Sequence, residues 1–158
     1  MGMEPESVMR VRAALRAAGH PDTVRAFPEG TRTAADAAAA IGCSVAQIAK
    51  SIVFRAGERA AVIVASGANR VDPARAGAAL GVTLARADAA FVRAATGFAI
   101  GGVAPVGHAR PALVLIDEDL FPLGTVWAAA GSAQHVFETS AEDLQRLTGA
   151  PAARVREG

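Results

Sequence analysis

The stretch "IAKSIVFRAGERAAVIVAS", residues 48–66, decides the fold because it holds two apolar runs joined by a tight turn. Gly57 and Glu58 separate "SIVFRA" (51–56) from "RAAVIVAS" (59–66), and both runs contain the β-branched residues that favour strands. Two such runs around a two-residue turn with glycine predict an antiparallel hairpin. The hairpin indicates a β-sheet with antiparallel neighbours.

Helices and further strands are predicted on both sides of the hairpin. Thr33 with Asp36, and Ser44 with Gln47, have the spacing of helix-capping boxes, which predicts two short helices, the second of which leads to Lys50. Apolar periodicity and turn residues predict the other elements: helices at 8–18, 72–81, 88–96 and after Ser140, and strands at 23–27, 82–87, 112–117, 125–130 and 135–140. The pattern predicts an α/β (α+β) domain built on a mixed sheet.

Composition excludes several classes of protein. With 158 residues, 52% of them apolar and 20% charged, the chain is long and apolar enough to form a globular core. A net charge of +1 argues against a DNA-binding protein that wraps a phosphate backbone. Cys43 is the only cysteine, which fits a reducing compartment. Because no apolar run approaches ~18 residues and the first ten residues lack a signal-peptide pattern, we expect a cytoplasmic protein without a membrane segment.

Most familiar catalytic patterns are missing from the sequence. The three histidines and the cysteine do not reach metal-ligand spacing, so neither a metal site nor a cofactor is predicted. Ser132 and His135 lie three residues apart across a predicted turn, a spacing more typical of a local hydrogen bond than of a nucleophile and its base. The acidic run 117–119 follows a strand and is predicted to be a solvated rim.

Two features remain as candidates for a site. Lys50 is the only lysine among 16 lysines and arginines, so this position takes a compact ammonium where the chain otherwise uses arginine. The segment "TGFAIGGVAPVGH", residues 96–108, contains four glycines and a proline. Glycines let a backbone approach a ligand closely, and free N–H groups in such a loop can hold an oxyanion or a phosphate.

These features resemble a known family. Lys50 in "IAKSIVF" (48–54), the loop "TGFAIGGVAPVG" (96–107) and "AAAGS" (128–132) are together similar to the YbaK family, whose members are aminoacyl-tRNA editing domains associated with prolyl-tRNA synthetases. The resemblance covers nearly the whole chain. It implies one YbaK-like domain, residues 1–158, in which helices surround a barrel-like, largely antiparallel mixed sheet.

The resemblance also implies a function and a set of site residues. The function is a trans-acting hydrolase that removes a small amino acid such as Cys, Ala, Ser or Thr from a mischarged tRNA, with tRNA(Pro) the leading candidate. Lys50, Gly101 and Gly102 would be the catalytic residues. The substrate-binding set would be Ser51, Thr96, Gly97, Val103, Ala104, Pro105, Gly107, His108, Gly131 and Ser132.

Partners and alternatives follow from the same residues. The expected partner is the acceptor end of an aminoacyl-tRNA, with affinity borrowed from a synthetase or an elongation factor, and the chain is expected to be a monomer or a weak homodimer. Some alanine-specific members of the family have Asn after the lysine, whereas this chain has Ser51. The competing hypothesis is a non-catalytic module that binds an aminoacyl group or a nucleotide with Lys50 as an anchor.

Overall fold

The computed structural model describes residues 4–158, which form five α-helices and eight β-strands. The helices are α1 (Glu6–Ala17), α2 (Ala34–Ile41), α3 (Pro73–Leu80), α4 (Ala89–Thr96) and α5 (Ala141–Thr148). The strands are β1 (Val24–Ala26), β2 (Ile48–Ala56), β3 (Arg59–Ser66), β4 (Ala85–Arg86), β5 (Leu113–Asp117), β6 (Thr125–Ser132), β7 (His135–Ser140) and β8 (Ala152–Ala153). None of the described helices is long and apolar enough to cross a bilayer.

The strands form one mixed sheet. Its order is β1-β7-β6-β2-β3-β5-β8, and β4 pairs with β2 away from this path. The contacts β2–β6, β3–β5 and β5–β8 are parallel, and the other strand pairs are antiparallel. The predicted mixed sheet with helices around it is therefore confirmed. The barrel-like closure is not, because the described strands follow an open path from β1 to β8.

The central hairpin forms as predicted. β2 and β3 pair from Ala49 opposite Ser66 to Ala56 opposite Arg59 at the turn, with Ile52 opposite Ile63. The predicted caps of α2 and α5 are also present: the Thr33 side chain accepts the N–H of Asp36, and Ser140 caps α5. These local signals decide local structure because each satisfies a backbone donor within its own turn.

The prediction of a helix leading to Lys50 is wrong. The Ser44 N–H does donate to the Gln47 side chain at 3.1 Å, but the chain forms only a 3₁₀ turn over Val45–Gln47. β2 begins directly after this turn because Ile48 and Ala49 pair with β6. Lys50 is therefore a strand residue. The strand predicted at 82–87 shrinks to β4, and β8 and the 3₁₀ helix Glu118–Leu123 were not predicted.

The second edge of β2 is interrupted at its middle. β3 occupies one edge throughout, whereas on the other edge β6 pairs with Ile48 and Ala49, and β4 pairs with Phe54 and Arg55. Residues 50–53 have no neighbouring strand on that edge among the described residues. This gap opens the sheet beside Lys50.

Candidate active site

Lys50 lies at the gap in the edge of β2, opposite Ala65 of β3. Its side chain is half-buried, and no described residue forms a salt bridge or a hydrogen bond with its ammonium. Burial lowers the pKa of Lys50 from its ordinary value, and the negative charge of Asp117 opposes this effect only in part. A cation that is partly desolvated and has no counter-ion is costly for the fold, so such a group indicates a binding role.

A cavity of about 130 Å³ lies beside Lys50. Ser51, Gly101 and Val103 contribute to its wall, so four of the predicted site residues meet there. The other walls contain no residue of the predicted site set. They come from the segment 31–34 with Ala37, from Ile48 and Ala49, from Trp127 and Ala129 of β6, and from Val136 of β7. Trp127 is the only tryptophan in the sequence, and this rarity was a signal that could have pointed to the β6 wall.

A second, more apolar cavity of about 210 Å³ shares Ser51, Gly101 and Val103 with the first. Its remaining walls are aliphatic, from β2, α4 and their neighbours: Ile52, Val53, Ala87, Val92 and Ile100. The hydroxyl oxygen of Ser51 is buried at this boundary and has no hydrogen-bond partner among the described residues. An unpaired buried hydroxyl costs free energy, so this oxygen is available to a ligand.

The two adjacent glycines of the loop have different roles. Gly101 has φ +92° and faces the cavity, and no described acceptor receives its N–H or that of Val103. The N–H of Gly102 instead donates to the carbonyl of Ala99 at 3.0 Å. A side chain at Gly102 would lie 2.8 Å from the backbone of Ser132, so this glycine allows the loop to pack against β6.

Comparison with known proteins supplies the family. The sequence profile described as "Aminoacyl-tRNA editing domain" matches residues 28–147, a segment that contains the hairpin, Lys50 and the glycine-rich loop. The chain belongs to the aminoacyl-tRNA editing domain family.

Individual relatives agree with this assignment. A solved structure described as "a putative trans-editing enzyme for prolyl tRNA synthetase" is 42% identical, covers 99% of this chain and 100% of its own, and superposes with a TM-score of 0.90. The hypothetical protein APE2540 is 28% identical over 94% of this chain and 99% of its own, with a TM-score of 0.86. The uncharacterized protein YwhH of Bacillus subtilis (strain 168) is 31% identical over 143 residues, which are 90% of this chain and 91% of YwhH.

Other residues of the predicted editing site lie elsewhere. Pro105, Gly107 and His108 line a separate cavity of about 250 Å³, bordered by α1 and the end of α5. His108 Nε2 lies 2.8 Å from the carbonyl oxygen of the buried Ala104, and burial lowers the pKa of this histidine. The structure therefore divides the glycine-rich loop between two cavities, and only its middle part, with Gly101 and Val103, borders the Lys50 cavity.

Hydrogen bonds hold the two ends of the glycine-rich loop in place. The buried Thr96 hydroxyl donates to the carbonyl of Val92, and Gly97 ends α4 with φ +78°. The Arg10 side chain donates to the carbonyls of Gly97 and Gly107, at 3.1 and 2.7 Å. These contacts hold both ends of the loop on α1, and in the described structure neither Thr96 nor Gly97 borders the Lys50 cavity.

Of the two predicted residues at the end of β6, Gly131 contacts α1 and Ser132 bonds within its own turn. The Gly131 carbonyl accepts the hydroxyl proton of Ser7, and a side chain at Gly131 would lie 2.6 Å from the Ser7 carbonyl oxygen. Ser132 Oγ is 2.6 Å from His135 Nδ1 and also accepts the N–H of Gln134 at 3.0 Å. This is the local turn geometry that the spacing predicted.

The acidic run 117–119 is not a simple solvated rim. Asp117 is fully buried, and its carboxylate accepts the N–H of Ser66 at 3.0 Å and the amide of Asn69 at 2.8 Å. Asp119 pairs with Arg156 at 2.7 Å, and only Glu118 is exposed. The prediction failed because the chain turns directly from β5 into a 3₁₀ helix, and Asp117 caps that helix from inside the fold.

Proposed function

We propose that this protein is a trans-acting aminoacyl-tRNA deacylase that hydrolyses the ester of a mischarged tRNA. The proposed substrate is tRNA(Pro), or a related tRNA, that carries a small amino acid such as Cys, Ala, Ser or Thr. The observation that carries the proposal is Lys50: a half-buried ammonium without a counter-ion in a small cavity, under a loop with free N–H groups, in a chain of the editing-domain family.

The cavity size supports recognition of the terminal part of the substrate. A volume of about 130 Å³ is small compared with the ~300–1,000 Å³ of typical ligand pockets. It suits one end group of a larger molecule, with the rest of the tRNA outside. A synthetase pocket discriminates one methylene by only ~1–3 kcal/mol, which is the reason a second, hydrolytic site is needed for small amino acids.

In the proposed binding step, the Lys50 ammonium contacts the phosphate or the ribose of the terminal adenosine. A compact ammonium on a flexible stem fits a narrow space that a planar guanidinium does not. The contact places the ester carbonyl near the N–H groups of Gly101 and Val103. We assign stabilisation of the oxyanion to these two donors, because the Gly102 N–H already donates to the Ala99 carbonyl within the loop.

In the proposed chemical step, water attacks the carbonyl carbon of the ester. The carbonyl oxygen gains negative charge, which the two N–H groups stabilise, and each such donor is worth ~10²–10³ in rate in well-studied enzymes. The bond from the carbonyl carbon to the ribose oxygen then breaks, and that oxygen takes up a proton from the attacking water. The adjacent ribose hydroxyl orients the water, and the products are a free amino acid and an uncharged tRNA.

A deacylation panel tests the proposal. The protein is incubated with tRNA(Pro) charged with Pro, Cys, Ala, Ser or Thr, and loss of the ester is followed against a no-enzyme blank and against Lys50→Ala. We expect at least one small amino acid to be released, Pro to be spared, and the Lys50→Ala variant to release the amino acid on the order of 10²-fold more slowly. Binding of the same tRNAs without release would support the non-catalytic module instead.

A further inference from the structure

We propose that Arg32 is a second phosphate-binding residue, and that the acceptor end of the nucleic acid leaves the Lys50 cavity across it. This inference rests on the proposed function. It specifies the path of the substrate out of the cavity. It also names a binding residue, Arg32, that neither the sequence features nor the family assignment identified.

Arg32 lies between two spaces on the surface. It contributes to the wall of the Lys50 cavity, and it also lines a more open cavity of about 480 Å³ together with Gly30, Ala133 and Gln134. Its side chain is exposed. A nucleic-acid strand that leaves the Lys50 cavity on this side therefore passes the Arg32 side chain.

The backbone of Arg32 is fixed although its side chain is not. The preceding residue, Thr31, is buried and donates to the carbonyl of Ala133 through its N–H at 2.6 Å and its hydroxyl at 3.1 Å. The following residue, Thr33, caps α2. The Arg32 stem lies against Gly101, where an added Cβ would come within 2.8 Å of Arg32 Cγ. This places the base of a long cation beside the loop proposed to hold the ester.

The guanidinium has no partner in the described structure. No described residue forms a salt bridge, a hydrogen bond or a cation–π contact with Arg32, although Glu29 and Asp36 border the outer cavity. An arginine fork is matched to the two oxygens of a phosphate. Two partnerless cations, Arg32 and Lys50, thus border one cavity, and this arrangement fits an anionic ligand better than a neutral one.

Helix α2 adds to the positive potential. It begins at Ala34, and Thr33, Ala34 and Ala37 all contribute to the wall of the Lys50 cavity. The N-terminus of a helix carries a partial positive charge that favours anions. The start of α2 therefore adds a partial positive charge to the wall between Lys50 and Arg32.

The alternative path crosses the opposite side of the cavity. Trp127 borders both the Lys50 cavity and a surface cavity that contains Arg25 and Glu138. The Arg25 guanidinium, however, lies over the rings of Phe27 and Trp127, with centroid distances of 5.3 and 5.7 Å. It is already committed to a stacking contact, so the observations favour the Arg32 side.

The test compares Arg32→Ala with Arg25→Ala, a matched exposed arginine on the other path. Each variant and the wild type are assayed on the best aminoacyl-tRNA of the panel and on the same amino acid esterified to adenosine without phosphate. We expect Arg32→Ala to raise KM for the tRNA about tenfold or more, as loss of a charge-assisted hydrogen bond does, with little change in kcat. Hydrolysis of the aminoacyl-adenosine should be unchanged, and Arg25→Ala should behave as wild type.

Several outcomes overturn the inference. An Arg32→Ala variant equal to wild type on tRNA removes the contact. Equal damage on the aminoacyl-adenosine shows a structural role rather than phosphate binding, and thermal melts check the fold. A larger effect of Arg25→Ala places the path on the Trp127 side.

A binding assay separates this inference from the proposed function. If the wild type releases no amino acid, deacylation is refuted, and affinity for a labelled oligonucleotide ending in CCA still tests Arg32. We expect Arg32→Ala to weaken that affinity and to reduce its dependence on salt. Equal affinities of wild type and variant, or no binding by either, would refute the phosphate contact.

Discussion

At the scale of single residues, the structure explains why Lys50 differs from the other basic residues of the chain. The sequence uses arginine at 15 of its 16 lysine and arginine positions. The structure places the exception at a gap in the sheet edge, where burial lowers its pKa and no counter-ion neutralises it. A solvated surface lysine would not have its pKa lowered by burial.

Substitution of Lys50 separates charge from geometry. We expect Lys50→Arg to lower single-turnover deacylation nearly as much as Lys50→Ala, on the order of 10²-fold, because a displacement of about 1 Å costs that much when an ester must be aligned. The exposed Arg59→Lys serves as a control and should change nothing. An Lys50→Arg variant within a few-fold of wild type would contradict the positional role.

The cost of the buried charge should appear in stability. Since burial depresses the folded-state pKa of Lys50, the unfolding free energy carries a penalty at neutral pH that disappears as the pH rises through the lowered pKa toward the ordinary value of 10.5. We expect Lys50→Met to raise the melting temperature by a few degrees at pH 7 and to lose deacylation. Denaturation of both proteins at pH 7 and above pH 10.5 measures this. A gain that is equal at both pH values would indicate packing rather than charge.

The hydrogen bond between Ser132 and His135 tests the absence of a protein nucleophile. Ser132 Oγ already accepts the N–H of Gln134, and its contact with His135 Nδ1 lies within one turn. We expect Ser132→Ala to lower the deacylation rate less than about tenfold. A loss near 10⁴-fold, typical of a removed triad residue, would instead identify Ser132 as the nucleophile.

At the scale of elements, the glycine-rich loop and β6 form one unit. Gly102 has no room for a side chain because the backbone of Ser132 is 2.8 Å from the position of a Cβ, and Arg10 holds the loop on α1. The loop is thus positioned by contacts outside the Lys50 cavity. Gly101 and Val103, whose N–H groups have no acceptor among the described residues, border the cavity on the side of the loop that is not packed on β6.

Gly102→Ala should therefore damage both stability and activity. The added methyl forces the loop away from β6, at a cost of about 1–3 kcal/mol in unfolding free energy, and moves the proposed oxyanion donors. Gly42→Ala is the control, since Gly42 ends α2 with φ +86° and has open space around it. We expect the control to lose stability but to retain its deacylation rate. Equal rates in all three proteins would show that the loop position does not matter.

At the scale of the whole molecule, one sheet joins every part of the site. Lys50 lies on β2 and Trp127 lies on β6, and both strands belong to the sheet. The glycine-rich loop is held by α1, which packs on β6. We expect the chain to be one domain and therefore to unfold in a single cooperative transition. Fluorescence of Trp127 in the cavity wall and far-ultraviolet circular dichroism should give the same midpoint. An earlier fluorescence transition would show that the site opens as a separate unit.

The expected monomer or weak homodimer also belongs to this scale. Sedimentation over a range of protein concentrations measures it directly. A stable dimer at the lowest concentration would contradict the expectation.

The sequence by itself determined the elements whose causes are local. The hairpin 48–66 follows from β-branched runs around a glycine turn, and the caps Thr33 and Ser140 act within one helical turn. The lone Lys50 and the glycine-rich loop also indicated the family directly, because a family motif is a property of sequence.

Only the tertiary structure decided how these pieces meet. Pairing with β6 starts β2 at Ile48, and pairing with Ala65 of β3 makes Lys50 a strand residue. In the glycine-rich loop, Gly101 borders the Lys50 cavity, whereas His108 borders another cavity. Other long-range contacts decided two further positions: Ser66 and Asn69 bind the buried Asp117, and the bonds from Thr31 to Ala133 place Arg32 at the cavity wall. Sequence patterns reveal the preferences of a few neighbouring residues. These positions depend instead on contacts between segments far apart in the chain, and such contacts form only in the folded state.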